Sequence, residues 1–133
     1  MSKLPLLSFL LLALLSWAAC GEDDEAATRP TTGPEAFLGT YQANETCGSF
    51  TQSYTVTIAR GAGDDGIVLR NLDDTDNVAA TVSESTFEIS TQFFDSGSYR
   101  GTGRRNGETV IVEYNKRRSV FEAKDCRVVL RLR

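Results

Sequence analysis

The sequence predicts an all-β domain, a single antiparallel eight-stranded up-and-down barrel that follows a signal peptide and a flexible tether. Three observations predict it. Helical periodicity is absent from residue 37 onward, apolar and polar residues alternate in short runs, and turn signals break those runs roughly every ten residues. Strands without crossover helices cannot pair in parallel. A meander that closes on itself removes both edges, at a size whose interior side chains can fill. A two-sheet β-sandwich is the alternative, and alternation by itself does not separate the two.

The strands follow in order. Residues 37–43 form the first candidate, and 53–60 alternate cleanly with Tyr54, Val56 and Ile58 on one face. Residues 67–72 follow the loop 61–66. Val78, Ala80 and Val82 mark a fourth strand; Phe87, Ile89 and Thr91 belong to a fifth. Residues 99–104 form the sixth, which Gly101 and Gly103 predict to be bent. The Asn106-Gly107 pair is a strong hairpin signal, because a type I′ turn needs positive φ at both central positions. Val110, Val112 and Tyr114 then alternate in the seventh strand, and Val128, Leu130 and Leu132 in the eighth.

Residues 1–19 read as a lipoprotein signal peptide. Lys3 is followed by an uncharged run, 4–19, that spans about 24 Å as a helix, short of the ~30 Å hydrocarbon core. Trp17-Ala18-Ala19-Cys20 resembles the bacterial lipoprotein processing box, with Trp17 where Leu is usual. That resemblance implies a lipid on Cys20; an ordinary signal cleaved near Ala19 is the alternative. Gly21-Glu22-Asp23-Asp24-Glu25 resembles the export signal of Bacteroidota-type surface lipoproteins, although four acids in a row can also be a plain solvated run. Residues 20–36 are thus the lipidated Cys and an acidic, Pro- and Thr-containing flexible tether, and 37–133 the barrel. The expected location is the bacterial outer membrane, lipid-anchored, on either its periplasmic face or the cell surface.

Phe37-Leu38-Gly39-Thr40-Tyr41 resembles the Gly-x-Trp opening of lipocalin-type barrels, with Tyr41 in place of Trp. With Tyr54-Thr55-Val56-Thr57-Ile58, the run 67–72 and a late Cys strand, the layout resembles small lipocalin-like lipoproteins of Bacteroidota. The resemblance implies fold and anchoring, and carries no ligand-binding residue. With Cys20 lipidated, Cys47 and Cys126 remain, an even number in an oxidising compartment. One follows the first strand and the other begins the last, and these strands are neighbours in a closed meander. A Cys47–Cys126 disulfide is the expectation, with two separate buried thiols as the rival.

No residue is singled out as catalytic or metal-binding, and no cofactor is implied. The chain has no His, which removes imidazole bases, His-dependent nucleophiles and imidazole metal sites. Gly61-Ala62-Gly63-Asp64-Asp65-Gly66 matches Gly-x-Gly-x-x-Gly but leads into a strand, and its acids would repel phosphate. Neither that loop nor Asp73-Asp74-Thr75-Asp76-Asn77 has the ligand layout of an EF-hand. Glu88, Glu108, Glu113 and Glu122 have no acid/base spacing and read as solvated.

Charge is unevenly distributed. Nine acids face two bases (Arg60 and Arg70) between 37 and 99, whereas ten bases face four acids between 100 and 133. Neutralisation across the barrel is one reading. The other is a patch of Arg104, Arg105, Lys116, Arg117 and Arg118 for lipopolysaccharide, an anionic glycan or an acidic protein. Nucleic acid is not expected, since no aromatics are interleaved with the bases. The function expected is therefore a non-enzymatic envelope lipoprotein that binds or scaffolds an envelope component. The alternative is a carrier of a small apolar ligand inside the barrel; six Phe and four Tyr beyond residue 36 favour a filled interior.

Overall fold

A computed structural model describes residues 29–133, so residues 1–19, read above as a signal peptide, Cys20 and the acidic run 22–25 lie outside the described residues. Eight antiparallel strands close into one barrel in sequence order: β1 (Gly39–Cys47), β2 (Phe50–Arg60), β3 (Gly66–Leu72), β4 (Asp76–Ser83), β5 (Thr86–Phe94), β6 (Gly97–Asn106), β7 (Thr109–Arg117) and β8 (Ala123–Leu132). Each strand predicted by alternation is present, most of them longer than expected by one to five residues at their ends. The closing pair joins β1 to β8 from Tyr41↔Leu132 to Cys47↔Cys126, so the sheet has no terminal strand.

Alternation sets the interior. Tyr41, Ala43, Glu45 and Cys47 of β1 point inward, as do Tyr54, Val56 and Ile58 of β2, and Val110, Val112, Tyr114 and Lys116 of β7. Phe37, Tyr41, Phe87, Tyr99, Ile58, Leu69 and Leu130 are among the large side chains almost fully sealed from solvent. Gly103 lies where a Cβ would stand 2.0 Å from Cζ of Phe87, so β6 gives up a side chain to let that ring lie against its backbone.

The two ends differ. At the base, a 3-10 turn (Pro34–Ala36) packs beneath the barrel, with Pro34 and Ala36 buried. Gly33 donates its amide to the Glu84 carbonyl, and Phe37 meets Phe87 edge to face. The tether assigned to 20–36 is therefore corrected at its inner end: residues 33–36 belong to the domain, because burying Pro34, Ala36 and Phe37 caps the core. The β6–β7 hairpin also departs from expectation. Its two turn residues are Gly107 and Glu108, and of these only Gly107 has positive φ (65°), so the turn needs one left-handed position and Asn106 remains in the strand. The opposite end, the mouth, carries the turns β1–β2, β3–β4, β5–β6 and β7–β8.

Candidate functional site

The disulfide is present. Cys47 and Cys126 are bonded with Cα atoms 4.2 Å apart, on the closing strand pair just inside the mouth. Beneath it the inward stripes of β1, β2 and β7 bring three polar side chains together instead of apolar ones. Glu45 is 1% exposed. Its Oε1 accepts hydrogen bonds from Tyr54 Oη at 2.8 Å and from Tyr114 Oη, and its Oε2 accepts one from Gln52 Nε2 at 2.7 Å. Gln52 Nε2 also reaches Asp73 Oδ1 at 3.2 Å, which links the carboxyl of β1 to the β3–β4 turn.

Asp73 is placed by backbone geometry. Asp73 and Asp74 have φ of 60° and 59°, and Thr75 donates to the Leu72 carbonyl, the pattern of a type I′ turn that Asp tolerates better than most residues. The turn directs the Asp73 carboxylate over the mouth. Its amide donates to Tyr54 Oη at 2.9 Å, and its Oδ2 accepts from Lys116 Nζ at 2.6 Å. Lys124 Nζ stands 3.6 Å from the other oxygen. The Lys116 ammonium also lies 5.0 Å from the centroid of the Tyr99 ring, and Tyr99 Oη donates to Asp76. Among the described residues no buried side-chain nitrogen or oxygen lacks a partner. The network acts as a hydrogen-bonded plug, and a buried polar network of this kind stabilises only when every member is satisfied.

The carboxyls of the plug are driven in opposite directions. Burial raises the Glu45 pKa above its ordinary 4.5, an effect that the hydrogen bonds from Tyr114, Gln52 and Tyr54 only partly offset. Burial also disfavours the Asp73 charge, but the Lys116 hydrogen bond, the contact with Glu45 and the two ammonium groups outweigh it and hold its pKa below 3.8. The phenols of Tyr54 and Tyr114 are pushed up, first by burial and then by Glu45. Asp73 therefore contributes stability above its ordinary pKa that is lost as pH falls through its depressed value. Glu45 contributes stability below its ordinary pKa that is lost as pH rises through its raised value. Each pH unit between Glu45's folded and unfolded pKa is worth about 1.4 kcal/mol. Glu45→Gln, an uncharged stand-in for the protonated acid, is expected to flatten the decline in stability as pH rises from Glu45's ordinary 4.5 toward neutral. Urea unfolding of both proteins across that range checks it, and parallel curves would remove Glu45 as the titrating group.

The basic patch expected from the sequence is corrected. Lys116 is 2% exposed and committed to Asp73, because it continues the inward stripe Val110, Val112, Tyr114. Arg104 and Arg105 lie near the β6–β7 turn at the base, whereas Arg117 and Arg118 lie at the mouth, so the five do not form one surface. Arg104 pairs with Glu113 at 3.3 Å, and Arg105 donates to the carbonyls of Pro30, Gly107 and Ala36. The Asp73 contacts with Lys116 and Lys124 join the acidic half of the sequence to the basic half. They engage Asp73, one of the three carboxylates of the loop 73–77.

Outside the barrel, the bent sheet of β5 to β8 and the end of β1 form an open groove of about 990 Å³. Its side chains are polar and of both signs, including Glu88, Arg100, Glu113, Asn115, Asp125 and Arg127. Glu88 and Glu113 are exposed, as the sequence predicts. No family model matches the chain, and comparisons with curated proteins and with solved structures find no match. The architecture itself, a closed eight-stranded antiparallel barrel, is consistent with a lipocalin-like fold.

Proposed function

We propose that the protein is a non-enzymatic, lipid-anchored lipoprotein of the bacterial outer membrane, similar to the small lipocalin-like lipoproteins of Bacteroidota, whose barrel binds or scaffolds an envelope component on its outer surface. One observation carries the binding half of the reading: the interior is filled. Tyr41, Tyr99, Phe87 and aliphatic side chains occupy it, and the Glu45–Asp73–Lys116 plug lies across the mouth. A carrier needs an internal apolar pocket of several hundred Å³. Three concave spaces among the described residues lie on the outer face and at the β7–β8 loop. The plug also offers little chemistry. Each Glu45 oxygen already accepts from the protein, and Lys116 is held by Asp73.

Anchoring rests on Ala18-Ala19-Cys20 after an apolar run too short to span. Mass spectrometry of the mature amino terminus is expected to find a diacylglyceryl thioether on Cys20, and Cys20→Ala to release the protein from membranes. A mature chain starting elsewhere, or unmodified, would refute the anchor. Capture of envelope components on the lipid-free domain, with the same capture after charge reversal at Arg100 and Arg127, tests whether the groove is the binding face.

A further inference from the structure

The described surface exposes five large apolar side chains, and four of them stand at the mouth: Phe50 (56%), Phe93 (82%), Val120 (80%) and Phe121 (96%). Phe50 opens β2, Phe93 lies at the end of β5, and Val120 and Phe121 form the tip of the β7–β8 loop. The connections at the base carry Gly61-Ala62-Gly63-Asp64-Asp65, Glu84-Ser85 and Gly107-Glu108 instead. Scattered exposed hydrophobics need no explanation, but a set segregated to one rim does.

The β7–β8 loop is built to present its tip. Arg118 donates its amide to the Glu122 carbonyl at 2.9 Å, and Ser119 Oγ accepts from the amides of Phe121 and Glu122. Beside that tip lies a recess of about 260 Å³ lined by Lys116, Arg118, Glu122, Ala123 and Lys124, with Asp73 behind the two lysines. Arg117 and Arg118 are exposed, and among the described residues neither has a carboxylate within salt-bridge distance. Because β8 pairs with β1, Phe50 stands beside it, opening β2 just after the β1–β2 turn. Asp74 and Asp95 are exposed in the β3–β4 and β5–β6 turns, so one side of the rim is basic and carries Phe50, Val120 and Phe121, and the other is acidic and carries Phe93.

We infer that the β7–β8 loop and Phe50 form a docking surface for an anionic lipid bilayer. Val120 and Phe121 enter the interface, and a lipid phosphate sits over Arg118 and Lys124. Apolar tips ringed by cations supply the two signals that hold a protein on such a surface, and the acidic side of the rim tilts away from it. The contact lies at the opposite end of the barrel from the tether and requires no lipid on Cys20, so it goes beyond anchoring.

Residues 29–133 contain every strand pairing, the core and the disulfide, and serve as the test protein. Co-sedimentation with vesicles of phosphatidylglycerol and phosphatidylcholine should bind it at least about tenfold more tightly than phosphatidylcholine alone, with affinity falling as salt rises. Val120→Asp with Phe121→Asp, and separately Arg117→Gln with Arg118→Gln, should each weaken binding about tenfold or more without changing the thermal midpoint, since all four side chains are exposed. The inference would be overturned by no pelleting with anionic vesicles, by equal binding to neutral ones, or by binding that the aspartate pair leaves intact. A concentration-dependent dimer abolished by the aspartate pair, without vesicle binding, would assign the tips to a second copy and also overturn it. The test protein lacks Cys20, so loss of the anchor reading would leave this result standing, and the reverse.

Discussion

Replacing Cys47 and Cys126 together with Ala is expected to lower the unfolding free energy by about 4 kcal/mol, and the melting temperature by roughly 15–25 °C. The bond links residues 79 apart in sequence, and the chain-entropy treatment values a loop of that length at about 4.5 kcal/mol. Position adds to length. Closing β1 onto β8 brings the two ends of the domain together, the contact with the greatest loop entropy to overcome, and the disulfide lies at the mouth end of that seam. Urea unfolding of the double variant, and of the native protein under reducing conditions, should give the same reduced stability. A loss below about 1 kcal/mol would mean that the seven-residue β1–β8 ladder and the plug hold the seam without it.

Much of this fold was legible from particular residues. Tyr54-Thr55-Val56-Thr57-Ile58 could bury one face only as a strand, and two cysteines at the ends of a closed meander had one way to meet. The plug was not legible, although its signal was present. Glu45 falls on the stripe Tyr41, Ala43, Glu45, Cys47, and Lys116 on the stripe Val110, Val112, Tyr114, Lys116. Charge argued that Lys116 faced solvent, whereas position placed both inside. Position prevailed because partners 43 and 69 residues away in sequence came with it: Asp73 for Lys116, and Tyr114 for Glu45. No local pattern reveals such partners, since they follow from barrel register. The basic patch failed for a related reason. Residues 104 and 117 are near in sequence, but β7 runs the length of the barrel between them, and Lys116 points inward while Arg117 and Arg118 are exposed.

Asp73→Ala is expected to destabilise the domain by about 3–5 kcal/mol, because it leaves the Lys116 ammonium buried with only the Tyr99 ring and mouth solvent to receive it. Part of that loss is backbone: Ala at φ 60° is strained where Asp is tolerated. Asp73→Asn separates the two contributions. Asn accepts the left-handed turn and can keep the Gln52 contact, but removes the negative charge, so whatever Asp73→Asn costs belongs to the ion pair. Lys116→Met tests the pair from the other side. It should cost less than Asp73→Ala, since Lys124 at 3.6 Å and Gln52 still attend the carboxylate. In the double variant Asp73→Asn with Lys116→Met, no unpaired charge remains buried, so the loss should be well below the sum of the two single losses. Urea unfolding of the four proteins gives that coupling directly. Additive losses would show that Asp73 and Lys116 act independently and that the plug is not a unit; a subadditive result, with Asp73→Asn alone costing more than the double variant, would show that the mouth is held shut by a charge that must be matched.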